Sequence, residues 1–182
     1  MSQTPTFLQI DLQSIFEESR NLGQKIDFEK IWINFSGRES EFLTGAVVYL
    51  TRSEYFDSSK FESKLIRIGY NIRSKTLTES SHKGKKTLYL TSQAINITID
   101  CLEKMWTFDK WILMSNDADF SDLCAHLKQK NKKIEIWSFK DTLHPSLEYY
   151  ADSIKFIDKA LFYEKPHINV FGFNWDDKLR IK

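Results

Sequence analysis

Short apolar runs alternate with amphipathic stretches along nearly the whole chain. "TFLQID" (residues 6–11) is an apolar run that closes on an acid, while "GAVVYLT" (45–51) and "KWILMS" (110–115) are continuous β-rich runs. Runs of that length suit strands buried on both faces. "YNIRSKTLTE" (70–79) and "KKIEIWSF" (132–139) read as further strands, and "KFIDKALFY" (155–163) as a final one.

Helical patterns fill the gaps. "LQSIFEESRNLG" (12–23) runs to a stop at Gly23, and "DFEKIWINFSG" (27–37) is opened by Asp27 as N-cap and closed by Gly37. Phe61, Leu65 and Ile68 form a stripe over 57–70. In "TSQAINITIDCLEKMW" (91–106) the core-facing stripe is read as Ile95, Ile99, Leu102 and Met105 or Trp106. "ADFSDLCAHLKQKN" (118–131) and "HPSLEYYADSI" (144–154), with Pro145 suited to a first turn, complete the set. "SSHKGKKT" (80–87) is polar, basic and contains glycine, and reads as a mobile loop. Such alternation predicts an α/β fold, a three-layer sandwich around a mainly parallel central sheet.

Composition narrows this little. The 182 residues suffice for one domain with a real core, and 41% hydrophobic with 14% aromatic content marks a globular chain. Lys and Arg number 26 against 25 for Asp and Glu, a net charge of +1. That balance argues against a strongly cationic nucleic-acid coat and leaves room for a local basic groove. No apolar run approaches the ~18 residues of a membrane span. "MSQTPTFLQID" lacks the basic and apolar regions of a secretory signal. Cys101 and Cys124, without CxxC or nearby His spacing, read as reduced core thiols, and a cytoplasmic location is the simplest expectation.

The chemistry concentrates where strands end. Asp11 ends the first strand, Asp117 and Asp119 follow "KWILMS", and Asp100 lies on the helix between, sharing a face with Asn96 and Gln93. In open α/β sheets ligands bind beyond the carboxyl ends of the strands. Carboxylates that converge there repel one another unless protonated or bound to a cation, and Mg²⁺ or Mn²⁺ answers that need. Each acid also has a plainer reading. Asp117 or Asp119 caps the next helix, Asp11 is a strand-end or cap residue, and Asp100 is a solvated helical acid.

With those residues in view, the chain resembles the NYN domain, the LabA-like branch of the PIN-like nuclease superfamily. "FLQIDLQSIF" is similar to its opening Asp-Gly-x-Asn strand motif, and "SKFESKLIRIGYNIR" to its helix leading into Gly-Tyr and a strand. "INITIDCLEKMW" is similar to its aspartate-bearing helix, "WILMSNDADFSDLCAHLKQKNKKIEIW" to its Ser-Gly-Asp-x-Asp-Phe signature with helix and strand, and "LHPSLEYYADSIKFID" to its final helix and strand. The similarity spans about residues 6 to 158. It implies a PIN-like fold over residues 1–160, with 161–182 as an aromatic-rich C-terminal extension. It also implies Asp11, Asp100, Asp117 and Asp119 as catalytic metal-binding acids for Mg²⁺ or Mn²⁺, and RNA, single-stranded rather than duplex, as substrate. Ser14, Asn96 and Ser115, with Lys83, Lys85 and Lys86 of the basic loop, are the expected substrate contacts. The family pattern is not complete: Leu12 stands for the usual Gly, Ser14 for Asn, Asn116 for the signature Gly, and an acid upstream of Asp100 falls at Ala94.

Two other readings stay open. The basic loop is also explained as solubilising, and the chain as a catalytically impaired module that binds RNA or a protein partner. A different metal phosphohydrolase or a Toprim-like enzyme also has Asp-x-Asp after a strand, although Toprim would want a Glu where Asp11 stands. In the extension, Phe171, Phe173 and Trp175 alternate after Ile168 and Val170. That pattern suits a strand packing on the domain or on a second subunit, hence a possible homodimer, more than base stacking.

Overall fold

A computed structural model describes residues 3–52, 57–76, 78–82, 85–89 and 92–164, with backbone alone over 78–82 and 85–89. In chain order the elements are β1 (Thr4–Asp11), α1 (Leu12–Asn21), α2 (Phe28–Ser36), β2 (Glu41–Arg52), α3 (Ser59–Ile68) and β3 (Asn71–Thr76). Then come β4 (Thr78–His82), β5 (Lys85–Tyr89), α4 (Ala94–Lys104), β6 (Lys110–Met114), α5 (Ser121–Gln129), β7 (Lys133–Ser138), α6 (Pro145–Tyr150) and β8 (Ser153–Phe156).

Six strands form one sheet in the order β3-β2-β1-β6-β7-β8, every pairing parallel. Successive strand residues face opposite sides, so β1 sends Leu8 and Ile10 into one core and Phe7 and Gln9 towards the other. The first core takes Ile15 of α1, Ile31 and Phe35 of α2 and Leu65 of α3, and the second takes Ile97 and Cys101 of α4, Leu123 and Cys124 of α5 and Leu147 of α6. Helices thus cover both faces, which is the expected three-layer α/β sandwich. Asp27 caps α2 through its side chain, accepting from the Glu29 N–H at 3.1 Å. Gly69 closes α3 at φ +125°, where a Cβ would lie 2.5 Å from the Trp32 ring, so only glycine suits both the backbone and the space.

Two local expectations change. Of the expected loop over 80–87, residues 80–82 and 85–87 belong to the paired strands β4 and β5, with Ser80 opposite Thr87 and His82 opposite Lys85. The polar composition concealed a β-favouring stretch, since Thr87 and Tyr89 are both good strand residues. Towards the end, the expected helix over 144–154 stops at Tyr150 and the last strand comes early, at Ser153–Phe156. Residues 159–161 form a 3₁₀ turn instead, and Leu161 and Phe162 are buried in the first core. The remainder of the anticipated extension, 165–182, lies outside the described residues.

At the amino edge of the sheet Glu135 is buried and accepts hydrogen bonds from both Arg38 terminal nitrogens, at 3.1 and 2.8 Å, and from Trp137 Nε1 at 2.5 Å. Lys110 Nζ lies 2.5 Å from it as well. Burial alone would raise its pKa, yet the hydrogen bonds from Arg38, Lys110 and Trp137 and the Arg38 charge bring it down to about 2. Glu135→Gln should therefore cost about 3 kcal/mol at neutral pH, because Arg38 and Lys110 lose the buried charge between them. The folded pKa lies below the ordinary 4.5. The charge contribution is thus present above that value and is lost on acidification. Urea denaturation should show the gap between variant and wild type narrowing from about pH 5 down through about pH 2, and a constant gap would rule out the charge as its source.

Candidate metal centre at the carboxyl edge of the sheet

Strand order reverses direction between β1 and β6, so the crevice beyond their carboxyl ends is a topological switch point, the usual ligand site of such sheets. Asp11 ends β1, and Ser115 follows Met114 at the end of β6. Register extends this into a row across the edge: Asp11 pairs with Tyr49 on β2, and Tyr49 pairs with Arg73 on β3. Asp11, Tyr49 and Arg73 are therefore consecutive neighbours, one per strand, with Ser115 just past Met114, the partner of Ile10.

Asp11 is 7% exposed. It occupies the N-cap position of α1, but its carboxylate makes no capping hydrogen bond. Instead its Oδ2 accepts from the Ser115 hydroxyl at 3.1 Å, and the same hydroxyl accepts from the Asp117 N–H at 3.2 Å. Ser14 Oγ lies 3.1 Å from Ser115 Oγ and donates to the Asp11 carbonyl at 3.3 Å. Burial, with the Asp117 charge adding to it, raises the Asp11 carboxyl from 3.8 to about 6 against the lowering pull of the two serines. None of the largest influences on it is a cation.

Asp117 has two uses. Its Oδ1 accepts from the Asp119 N–H at 3.0 Å and so caps the 3₁₀ turn over 118–120, as the plainer reading had it. It also lines, with Asp11, a cleft of about 430 Å³ whose wall includes Glu17 and Glu18 of α1, Gln13, Ser14, Asn116 and Gln93. Among the described residues no lysine or arginine lines that cleft. Asp119 is exposed and is not in the wall.

Asp100 lies elsewhere. Its Oδ2 accepts from the Tyr49 hydroxyl at 2.6 Å, and its Oδ1 is ion-paired with Arg73 Nη1. The Tyr49 oxygen in turn accepts from Gln9 Nε2 at 2.5 Å, and Gln9 Oε1 accepts from Trp111 Nε1 at 2.7 Å. Asn96 donates to Gln93 Oε1 at 3.0 Å, and Gln93 Nε2 donates to the Leu50 carbonyl at 2.7 Å. These bonds explain why α4 is turned over relative to its expected orientation. Gln93, Ile97, Asp100, Cys101 and Met105 face inward, whereas Ile95, Ile99, Leu102 and Trp106 are exposed. Both faces of α4 carry apolar residues, so periodicity could not choose between them, and buried partners for Gln93 and Asp100 did. Tyr49, Gln9 and Arg73 went unnoticed in the sequence; their position in strands that end beside Asp11 was the available signal.

Lys83 lies outside the described residues, and Lys85 and Lys86 are described only as backbone of β5. Among the described residues no group of three or more His, Cys, Asp or Glu side chains could hold a single metal ion. The Asp11–Asp117 pair nevertheless fits Mg²⁺ or Mn²⁺, which need only one or two protein carboxylates and keep water for the remainder. The buried, cation-free carboxylate of Asp11 is the observation behind that fit.

The fold and this edge define a PIN-like α/β domain. The profile of the NYN domain matches residues 5–161, and the chain belongs to that family. The protein is 25% identical over 151 residues to "Low amplitude and bright protein LabA" of Synechococcus elongatus, covering 82% of this chain and 80% of that one. A crystal structure of a protein of unknown function from Vibrio parahaemolyticus superposes with a TM-score of 0.75 at 21% identity, over 88% of this chain and 97% of that one, and shares the fold.

A raised carboxyl pKa has a definite sign. The folded state holds the Asp11 proton between the ordinary 3.8 and about 6, so this group makes stability fall as pH rises through that window. Asp11→Asn should remove the penalty: in metal-free buffer the variant gains relative to wild type from about pH 4 to about pH 7, by up to about 3 kcal/mol. Thermal denaturation across that range is the measurement, and a variant equally or less stable at neutral pH would refute the strain on Asp11.

Proposed function

We propose that this chain is a metal-dependent nuclease that hydrolyses phosphodiester bonds in RNA, single-stranded rather than duplex. The observation that carries the reading is the cleft at the switch point, walled by carboxylates and, among the described residues, by no lysine or arginine, with buried Asp11 held by serine hydroxyls and facing the Asp117 charge. Phosphates do not enter such a cleft without a cation to offset its charge. NYN domains are as a class divalent-metal nucleases, and that supports the same conclusion.

Asp11 and Asp117 hold Mg²⁺ or Mn²⁺ in this reading. Once bound, the ion supplies Lewis-acid stabilisation of charge at the scissile phosphate and a nucleophile from water. The protein's own groups do the positioning. The Ser115 hydroxyl, fixed between Asp11 Oδ2 and the Asp117 N–H, sets the distance between the two acids. Ser14 backs it, and Gln93 presents a polar wall opposite α1. Asp119 and Asp100 stand outside the pair. Lys83, Lys85 and Lys86, in the segment just before α4, supply phosphate contacts that position the strand without specifying sequence. No helix among the described residues is long and apolar enough to cross a membrane. We place the protein in the cytoplasm, with a homodimer as the candidate assembly.

A second reading, an NYN-like module that binds RNA or a protein partner without cutting, has its own support. Asp100 is engaged by Arg73 and Tyr49, and Ala94 stands where the family places an acid.

Asp117→Asn separates the two. It should abolish Mg²⁺- or Mn²⁺-dependent cleavage of single-stranded RNA, with a loss of orders of magnitude in rate, while circular dichroism and RNA affinity are retained. Neutralising Lys83, Lys85 and Lys86 together should weaken binding instead and flatten its salt dependence, by about one slope unit per lost contact at most. Wild-type protein that binds RNA but cleaves no substrate in either metal would establish the non-catalytic module.

A further inference from the structure

The row of registered side chains puts a resident cation where a metal ligand was expected. Asp100 is 7% exposed, and both of its carboxylate oxygens have partners. Tyr49 donates to Oδ2 and Arg73 is ion-paired at Oδ1. Arg73 stands two strands from Asp11, with Tyr49 between them. At ordinary strand spacing that separation is roughly 10 Å. Asp100 is absent from the wall of the cleft that Asp11 and Asp117 share.

We propose that Arg73 is the built-in counter-cation of Asp100, so that a divalent ion in the cleft is held by Asp11 and Asp117 without Asp100. The proposal rests on the metal reading of that cleft and adds a division of labour among the acids. A guanidinium is always charged, weakly hydrated and forked to match a carboxylate, which suits it to a buried ion pair. A second cation approaching Asp100 meets like charge as well as a carboxylate whose oxygens are already engaged. The Tyr49–Gln9–Trp111 chain behind Asp100 fixes the carboxylate from the sheet side, so it does not swing to follow an incoming ion. Removing the Arg73 charge leaves a buried anion with Tyr49 as its remaining described partner, the condition that draws a hard cation.

The test titrates the full chain with Mn²⁺ alone, reading binding by calorimetry and by the electron paramagnetic resonance of free Mn²⁺, with circular dichroism as the folding control. Asp100→Asn should bind Mn²⁺ within about twofold of wild type, because the ion does not use that carboxylate. Arg73→Gln should bind Mn²⁺ about tenfold or more tightly, or take up an additional ion, and the Arg73→Gln/Asp100→Asn double variant should lose that gain. Arg73→Lys, which keeps the charge, should resemble wild type. The Arg73 side chain is 41% exposed, so its replacement is tolerable to the fold, and Arg73→Met gives the same readout if the glutamine variant is unstable. A marked loss of Mn²⁺ affinity in Asp100→Asn with Arg73 in place would overturn the proposal, as would Arg73→Gln without any gain. Failure of the underlying metal reading looks different: wild type and Asp117→Asn both show no Mn²⁺ binding, and the gain in Arg73→Gln with its loss in the double variant then decides the Arg73 proposal alone.

Discussion

One buried carboxylate, at the end of β1, organises the carboxyl edge of this sheet. Asp11 cannot relax into solvent because β1 is the sheet's third strand, paired on both sides and covered on both faces. Nor does it spend its charge on the helix that starts after it, since α1 receives no side-chain cap from it. What offsets its burial is two serine hydroxyls, and these cannot neutralise it; its pKa stays raised. Everything next to it follows from that. The chain after β6 brings Ser115 to the carboxylate and uses the same oxygen to receive the Asp117 N–H, so the second acid is held beside the first in spite of their repulsion. The fold stores an electrostatic cost at its switch point, where a ligand of opposite charge recovers it.

The rest of the sheet handles its buried charges differently, and the contrast is informative. Glu135, at the opposite edge, is surrounded by Arg38, Lys110 and Trp137 and is pulled well below the ordinary range. Asp100 is matched by Arg73 and Tyr49. In both cases a buried acid has a cation paired with it, internal at Glu135 and half-exposed at Asp100. Asp11 is the exception among these three, and its uncompensated charge makes the β1–β6 crevice, rather than the amino edge or the β3 flank, the place to look for chemistry.

Most of the architecture was legible because the buried strands write themselves as unbroken apolar runs, as in "GAVVYLT" and "KWILMS", and because Asp27 and Gly69 punctuate helices by ordinary capping and backbone rules. Legibility ended where two patterns carry equal weight. α4 has apolar residues on both faces, and its orientation was settled by the hydrogen-bond needs of Gln93 and Asp100, which no periodicity encodes. The hairpin β4–β5 was hidden by lysines and serines that look like loop. At the edge itself, Asp11 and Asp117 were readable from strand-end position alone. The Arg73–Asp100 pair was not, because it depends on β3 lying two strands from β1, a fact of topology and not of local sequence.

A motif-by-motif reading counts acids, and on that count four are present, Asp11, Asp100, Asp117 and Asp119, and a fifth is missing at Ala94. The geometry shows a different arithmetic, because the charge of an acid is available to a ligand only after its internal partners are subtracted. Asp100 is present in sequence and already paired, Asp119 is exposed and outside the cleft wall, Asp117 gives Oδ1 to a cap, and Asp11 has no cation among the groups that shift its pKa most. Two carboxylates remain, and they lie together at the switch point beside a serine that fixes their spacing. In the metal reading proposed above, a hard divalent ion that retains most of its water needs no more protein than this, so the alanine at position 94 would cost that site a neighbour and leave its proposed pair in place.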